Sequence, residues 1–97
     1  MRMMMKIAIP FEAANKAVDD GSAQRILKAS LEALRPEGVY FYPAEEGRII
    51  TMFIDVKESS DMPLIGEPFF RGLSARVTFT PVMNLPDFMA GLAKVAH

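Results

Sequence analysis

The stretch that decides the fold is VYFYPAEEGRIITMFIDV, residues 39–56. Two segments in it, Val39–Pro43 and Arg48–Val56, are rich in the β-branched and aromatic residues that favour strands. The four residues between them, Ala44–Gly47, end in glycine, which is typical of a hairpin loop. The stretch therefore predicts two antiparallel strands joined by a tight connection.

A strand and a long helical segment precede this hairpin. Met4–Ile9 is apolar apart from Lys6 and is followed by Pro10, so we expect a first strand that ends there. From Ala13 to Leu34, apolar residues recur at the spacing of one buried helix face. Because glycine destabilises a helix, Asp20-Gly21-Ser22 predicts a kink or a break, with Ser22 as the cap of the second half.

A helix, a strand and another helix follow the hairpin. Ser59-Ser60-Asp61 offers caps for a short helix through about Phe70, which Gly66 and Pro68 should make irregular. Ala75–Val82 reads as the fourth strand, and Asn84 as the cap of a C-terminal helix. The whole chain, 1–97, thus predicts a single α+β domain of the ferredoxin-like type. This βαββαβ fold is an antiparallel four-stranded sheet with helices on one face, here followed by a C-terminal helix.

Alternation along the strands divides the side chains between two faces of the sheet. One face is wholly apolar and should lie under the helices. The other mixes aromatic rings, threonines and charges: Lys6, Ala8, Tyr40, Tyr42, Thr51, Phe53, Asp55, Arg76, Thr78 and Thr80. Such a face suits a subunit interface or a ligand pocket with convergent polar groups. The alternative is a solvent-exposed face with a few incidental aromatic residues.

Composition excludes several classes of protein. Eleven Lys and Arg against twelve Asp and Glu give a net charge of −1, and the basic residues are scattered, which argues against nucleic-acid binding. The absence of cysteine removes disulfides, thiolate metal sites and cysteine nucleophiles. No apolar run approaches the roughly 20 residues of a membrane helix, and no signal peptide is visible, so we expect a cytoplasmic protein with no membrane partner. The only histidine, His97, is the last residue, where we expect no catalytic or metal role.

Three short motifs carry a family resemblance that spans most of the chain. They are Asn15 with Asp20-Gly21-Ser22, then Glu67-Pro68-Phe69-Phe70, then ARVTFTPVM at residues 75–83. The pattern resembles the dimeric α/β-barrel superfamily and, within it, looks like a group of small uncharacterised bacterial proteins. The resemblance implies a ferredoxin-like subunit and a homodimer that pairs sheet against sheet. It implies no reaction, because the chain lacks the internal histidine and the tryptophan of the haem-binding and monooxygenase relatives.

Lys6 and Asp55 fall on the same face of strands that are neighbours in this topology. One hypothesis is a partly buried charged pair with Asp55 as a general base. The other, which we favour, is a salt bridge at the rim that helps to set the register and contributes roughly 0–1 kcal/mol.

Two tyrosines and an arginine complete the candidate site. The phenols of Tyr40 and Tyr42 would hold a carbonyl or phenolate oxygen in a pocket, or supply contact area at a dimer interface. Arg76 would bind a carboxylate through its planar guanidinium, or pair with Asp55 or with an acid of a partner.

The sequence thus predicts a homodimer that binds a small organic molecule on the sheet face opposite the helices. Whether it also catalyses a cofactor-independent reaction stays open. The alternative is a non-catalytic protein whose mixed face serves assembly only. We expect no cofactor and no metal site. The candidate ligand-binding residues are Lys6, Tyr40, Tyr42, Phe53, Asp55, Arg76 and Thr78.

Overall fold

The structure, a computed structural model, describes residues 1–95. It contains four strands and four helices. In chain order they are β1 (Arg2–Ile9), α1 (Phe11–Asp20), α2 (Ser22–Leu34), β2 (Gly38–Ala44), β3 (Gly47–Asp55), α3 (Asp61–Leu73), β4 (Arg76–Pro81) and α4 (Leu85–Val95).

The strands form one open antiparallel sheet in the order β2-β3-β1-β4. Its centre is the pairing of β1 with β3, in which Lys6 lies opposite Thr51, and with β4, in which Lys6 lies opposite Thr78. This order and the helices packed on one face are compatible with the ferredoxin-like fold, so the predicted α+β class and strand arrangement are confirmed.

The core lies between the helices and the odd-numbered residues of β1. Met5 and Ile7 are fully buried there, and Phe69 and Leu73 of α3 pack into the same cluster. Strand β2 is covered less well than its sequence predicts. Phe41 points to the helix side by register, opposite Ile50, yet it is 58% exposed. The helical layer therefore leaves the edge strand β2 open.

The two helical irregularities predicted from the sequence have different outcomes. The long N-terminal segment breaks into α1 and α2 at Gly21, whose φ of 82° lies in the left-handed region. In contrast, α3 continues through Pro68 for three turns instead of becoming irregular. The proline removes the hydrogen bond to the carbonyl of Leu64, but Leu64 and Pro68 both lie on the exposed side, where water can satisfy that oxygen.

Helix α4 extends away from the rest of the molecule. The Cα radius of gyration is 15.4 Å, against about 12.5 Å for a compact chain of this length, and the longest axis is 57 Å. No residue of α4 is buried, although its sequence carries an apolar stripe. The described helices include none that is both long and apolar enough to cross a membrane.

Candidate functional site

The candidate site is the sheet face that the helices leave open. Its middle is a row of directly opposed residues that crosses all four strands: Tyr40 on β2, Thr51 on β3, Lys6 on β1 and Thr78 on β4. Side chains that oppose each other across strands lie about 4.5–5.5 Å apart at Cβ, so this row forms a continuous strip. Three of the seven candidate residues carry an aromatic ring, and Tyr40 is the most exposed of these three, at 62%.

Aromatic side chains occupy one half of this face. The ring of Phe53 packs edge to face against Tyr40, with 6.4 Å between the ring centroids. The Tyr42 hydroxyl lies 3.4 Å from the Thr51 hydroxyl. The phenols therefore stand beside the threonine that separates them from Lys6.

Cationic side chains occupy the other half. Arg76 lies opposite Ala8 on β1 and is thus the diagonal neighbour of Lys6, at roughly 7–8 Å between Cα atoms. The Lys6 ammonium lies 3.4 Å from a carboxylate oxygen of Glu46 in the β2–β3 turn. Because Glu46 is itself exposed, an incoming anion can replace it as the partner of Lys6.

Asp55 does not join this group. It lies opposite Arg2 at the end of β1, whereas Lys6 lies opposite Thr51, about 13 Å farther along β3. The structure therefore does not form the Lys6–Asp55 pair. It also separates Asp55 from Arg76 by about 20 Å along the strands and by two strand spacings across the sheet.

The environment of Asp55 also argues against a role as a general base. Its carboxylate forms an ion pair with the ammonium of Lys57, at 2.6 Å, and accepts a hydrogen bond from the amino group of Met1, at 2.9 Å. The Lys57 ammonium is the main reason that the pKa of Asp55 falls to about 2. A carboxylate with so low a pKa is a weak base at neutral pH.

This environment makes a testable prediction for Asp55. In a carboxyl-detected NMR titration we expect it to ionise with a pKa of about 2, and Lys57→Gln to move the value towards the ordinary 3.9 or so. Since the folded-state pKa is lowered, any stability that the carboxylate contributes is present above pH 4 or so and is lost as the pH falls towards 2. Lys28→Gln, on the exposed side of α2, is the control and should leave the titration unchanged. A pKa near 4 in the wild type would contradict the assignment.

The sequence did not indicate three of the contacts or positions described here. Glu46, the partner of Lys6, is a turn residue whose reach depends on the hairpin register. Thr51 was placed on this face but not among the site residues, although it lies at the centre of the row. Arg2 bridges Glu37 and Asp87, at 2.6 and 2.8 Å, across 85 residues of chain, and no local pattern indicates such a contact. His97 lies outside the described residues.

Comparison of the chain with protein-family models, curated proteins and solved structures finds no match in any of the three.

Proposed function

We propose that the protein is a homodimer that binds a small organic anion between two open sheet faces, which pack against each other as in the dimeric α/β-barrel superfamily. The observation that carries this proposal is the central row together with Arg76. Two cations at diagonal positions stand next to threonine hydroxyls. The aromatic rings lie on the same face of the sheet, on the neighbouring strands β3 and β2. Such convergent polar groups within an apolar and aromatic lining are what a small-molecule site requires.

The residues divide the work of binding between them. Lys6 and Arg76 would hold the carboxylate or other anionic group, Arg76 through its planar fork and Lys6 as a point charge. Thr78 and Thr51 would add hydroxyl hydrogen bonds. Tyr40, Tyr42 and Phe53 would cover the apolar part of the ligand. Asp55 is left out of this site because of its position at the end of the sheet.

A second candidate function is assembly alone. Tyr40, which is 62% exposed and packed edge to face on Phe53, offers rigid contact area of the kind that protein interfaces use. On this account the face needs no ligand, and Lys6 and Arg76 would serve only to orient the two copies.

An aromatic sulfonate probe separates these two functions. We expect anilinonaphthalene sulfonate to bind the wild-type protein and Lys6→Gln to weaken that binding about 10-fold, because a hydrogen bond to a charged group contributes about 1.5 kcal/mol. Arg76→Gln should have a similar effect. Fluorescence titration measures the affinity, and sedimentation velocity measures the oligomeric state in parallel.

Lys28→Gln is the matched control, since it removes the same charge from the exposed side of α2. It should leave the affinity unchanged. If Lys6→Gln changes dimer affinity but binds the probe as the wild type does, the face serves assembly and the binding site is wrong.

A further inference from the structure

Helix α4 has an apolar stripe with nothing packed on it. Its members are spaced along one side of the helix and are all exposed: Leu85, Phe88, Met89, Leu92 and Val95. Asp87 and Lys94 lie on the opposite side. An isolated helix of 11 residues is marginal in water, because most helix stability comes from packing of the apolar face. We therefore expect the stripe to pack against another apolar surface.

The start of α4 is fixed by polar contacts. The side-chain oxygen of Asn84 accepts a hydrogen bond from the backbone N–H of Asp87 at 2.9 Å. In return, the carboxylate of Asp87 accepts one from the backbone N–H of Asn84 at 3.4 Å. This reciprocal pair is a capping arrangement. Arg2 holds the same carboxylate at 2.8 Å, so the first turn of α4 is tied to the beginning of β1. These contacts fix the position of the first turn of the helix.

An apolar groove of about 500 Å³ lies at another corner of the molecule, between strand β2 and helices α1 and α2. Phe11, Val18 and Leu27 form one side, and Phe41 and Pro43 form the other. It occupies the place above β2 that the helical layer leaves open. A helix with an apolar stripe is the element that would complete this layer.

The two surfaces do not meet within one chain of this structure, in which the stripe of α4 is exposed. The groove lies where β1 ends, beside Ile9, whereas α4 leaves β4 where Pro81 lies opposite Met3, about 20 Å away along the strands. Three residues connect Pro81 to α4, and they span at most about 11 Å. The groove is also at the β2 edge and α4 at the β4 edge, so they occupy diagonally opposite corners of the sheet.

A two-fold axis resolves this separation. If two sheets face each other through their open faces, about an axis that runs between the other two corners, the α4 corner of one copy lies next to the groove corner of its partner. Helix α4 then has to pass the β2 edge of the partner, because the groove lies on the helix side of that sheet. The strands of the two sheets then cross at a steep angle, which is one of the known ways for sheets to pack. The same operation places both helices at once, as closed two-fold symmetry requires.

Helix α4 would add to the area of the sheet-to-sheet interface. Four strands at about 4.8 Å and about seven residues at 3.3 Å give the open face a plan area of roughly 440 Å². The stripe of α4 is apolar surface that would enlarge this interface.

We infer that α4 is an exchanged arm, and that the apolar stripe of each copy packs into the groove between β2, α1 and α2 of a second copy. The inference shares the homodimer of the proposed function but rests on other residues. It adds a second contact surface to the sheet-to-sheet interface.

Because the chain contains no cysteine, site-directed cross-linking tests this arm directly. Leu92→Cys and Val18→Cys are made as separate full-length variants, unfolded and refolded together, and treated with a short bismaleimide. We expect a covalent heterodimer from the mixture and none from either variant alone. Glu32→Cys, on the exposed side of α2, replaces Val18→Cys in the control mixture and should give no product.

A second variant separates the arm from the sheet interface. Thr51→Cys lies at the centre of the open face and should cross-link to itself across the two-fold axis. A Thr51→Cys dimer without the Leu92–Val18 product would overturn the arm and leave the sheet interface standing. The Leu92–Val18 product without a Thr51→Cys dimer would support the arm and contradict the sheet interface. A cross-link within one chain of the doubly substituted protein would also overturn the exchange.

Discussion

Thr51→Arg is expected to disrupt the proposed homodimer and make the protein monomeric. Thr51 stands at the centre of the open face, between Tyr40 on β2 and Lys6 on β1. An arginine there would meet its own copy across the two-fold axis and would lie beside the charge of Lys6. An uncompensated charge in an interface costs about 3 kcal/mol or more, which raises the dimer Kd by at least ~100-fold. Sedimentation velocity over a range of concentrations measures this change.

Glu32→Arg is the matched control, because it introduces the same side chain on the exposed surface of α2. It should remain dimeric. Far-ultraviolet circular dichroism checks that both variants are folded, and folding of Thr51→Arg is expected because its side chain points out of the core. A folded Thr51→Arg protein with wild-type dimer affinity would show that the open face is not the interface.

Gly47→Ala is expected to destabilise the protein more than the addition of one methyl group at any other position of the hairpin. Gly47 has a φ of 141°, a conformation that other residues rarely adopt. A Cβ atom there would lie 1.9 Å from the carbonyl oxygen of Ile9 and 3.0 Å from Cα of Pro10, so backbone has to move. Strain and clash together should lower the free energy of unfolding by at least ~3 kcal/mol. Urea denaturation at one fixed protein concentration measures the loss.

Gly91→Ala is the control for this change. A Cβ at Gly91, on the flank of α4, meets no atom within 4 Å. Alanine is the better helix former by about 1 kcal/mol, so this variant should be no less stable than the wild type. Equal stabilities of Gly47→Ala and the wild type would mean that the turn does not pack against the end of β1 as described.

The strands and their faces could be predicted from the sequence because alternation is a local signal. Residues of the Val39–Val56 stretch and of the first strand lie on the faces that their spacing indicates. How much of the apolar face the helices cover was harder to predict, because it depends on how many helices fit above the sheet. Periodicity places Phe41 on the helix side, but it cannot show that no helix of the same chain lies above it.

The same limit applies to the C-terminal helix and the charged pairs. The stripe and the Asn84 cap of α4 follow from local spacing, and both are present in the structure. Where that stripe packs depends on a partner surface. The Lys6–Asp55 hypothesis used the correct face but not the register, which sets Asp55 opposite Arg2 and leaves Lys6 with Glu46. A period of two determines the side of a sheet and not the position along it.

Native mass spectrometry of the purified full-length protein, compared with its denatured mass, tests the central claim most directly. We expect a dimer whose native mass exceeds twice the denatured chain mass by the mass of a small organic anion that is lost on denaturation. The Lys6→Gln protein should keep the dimer and lose most of the extra mass. A wild-type protein that is monomeric at micromolar concentration, with no additional mass, would contradict both the paired sheets and the site between them.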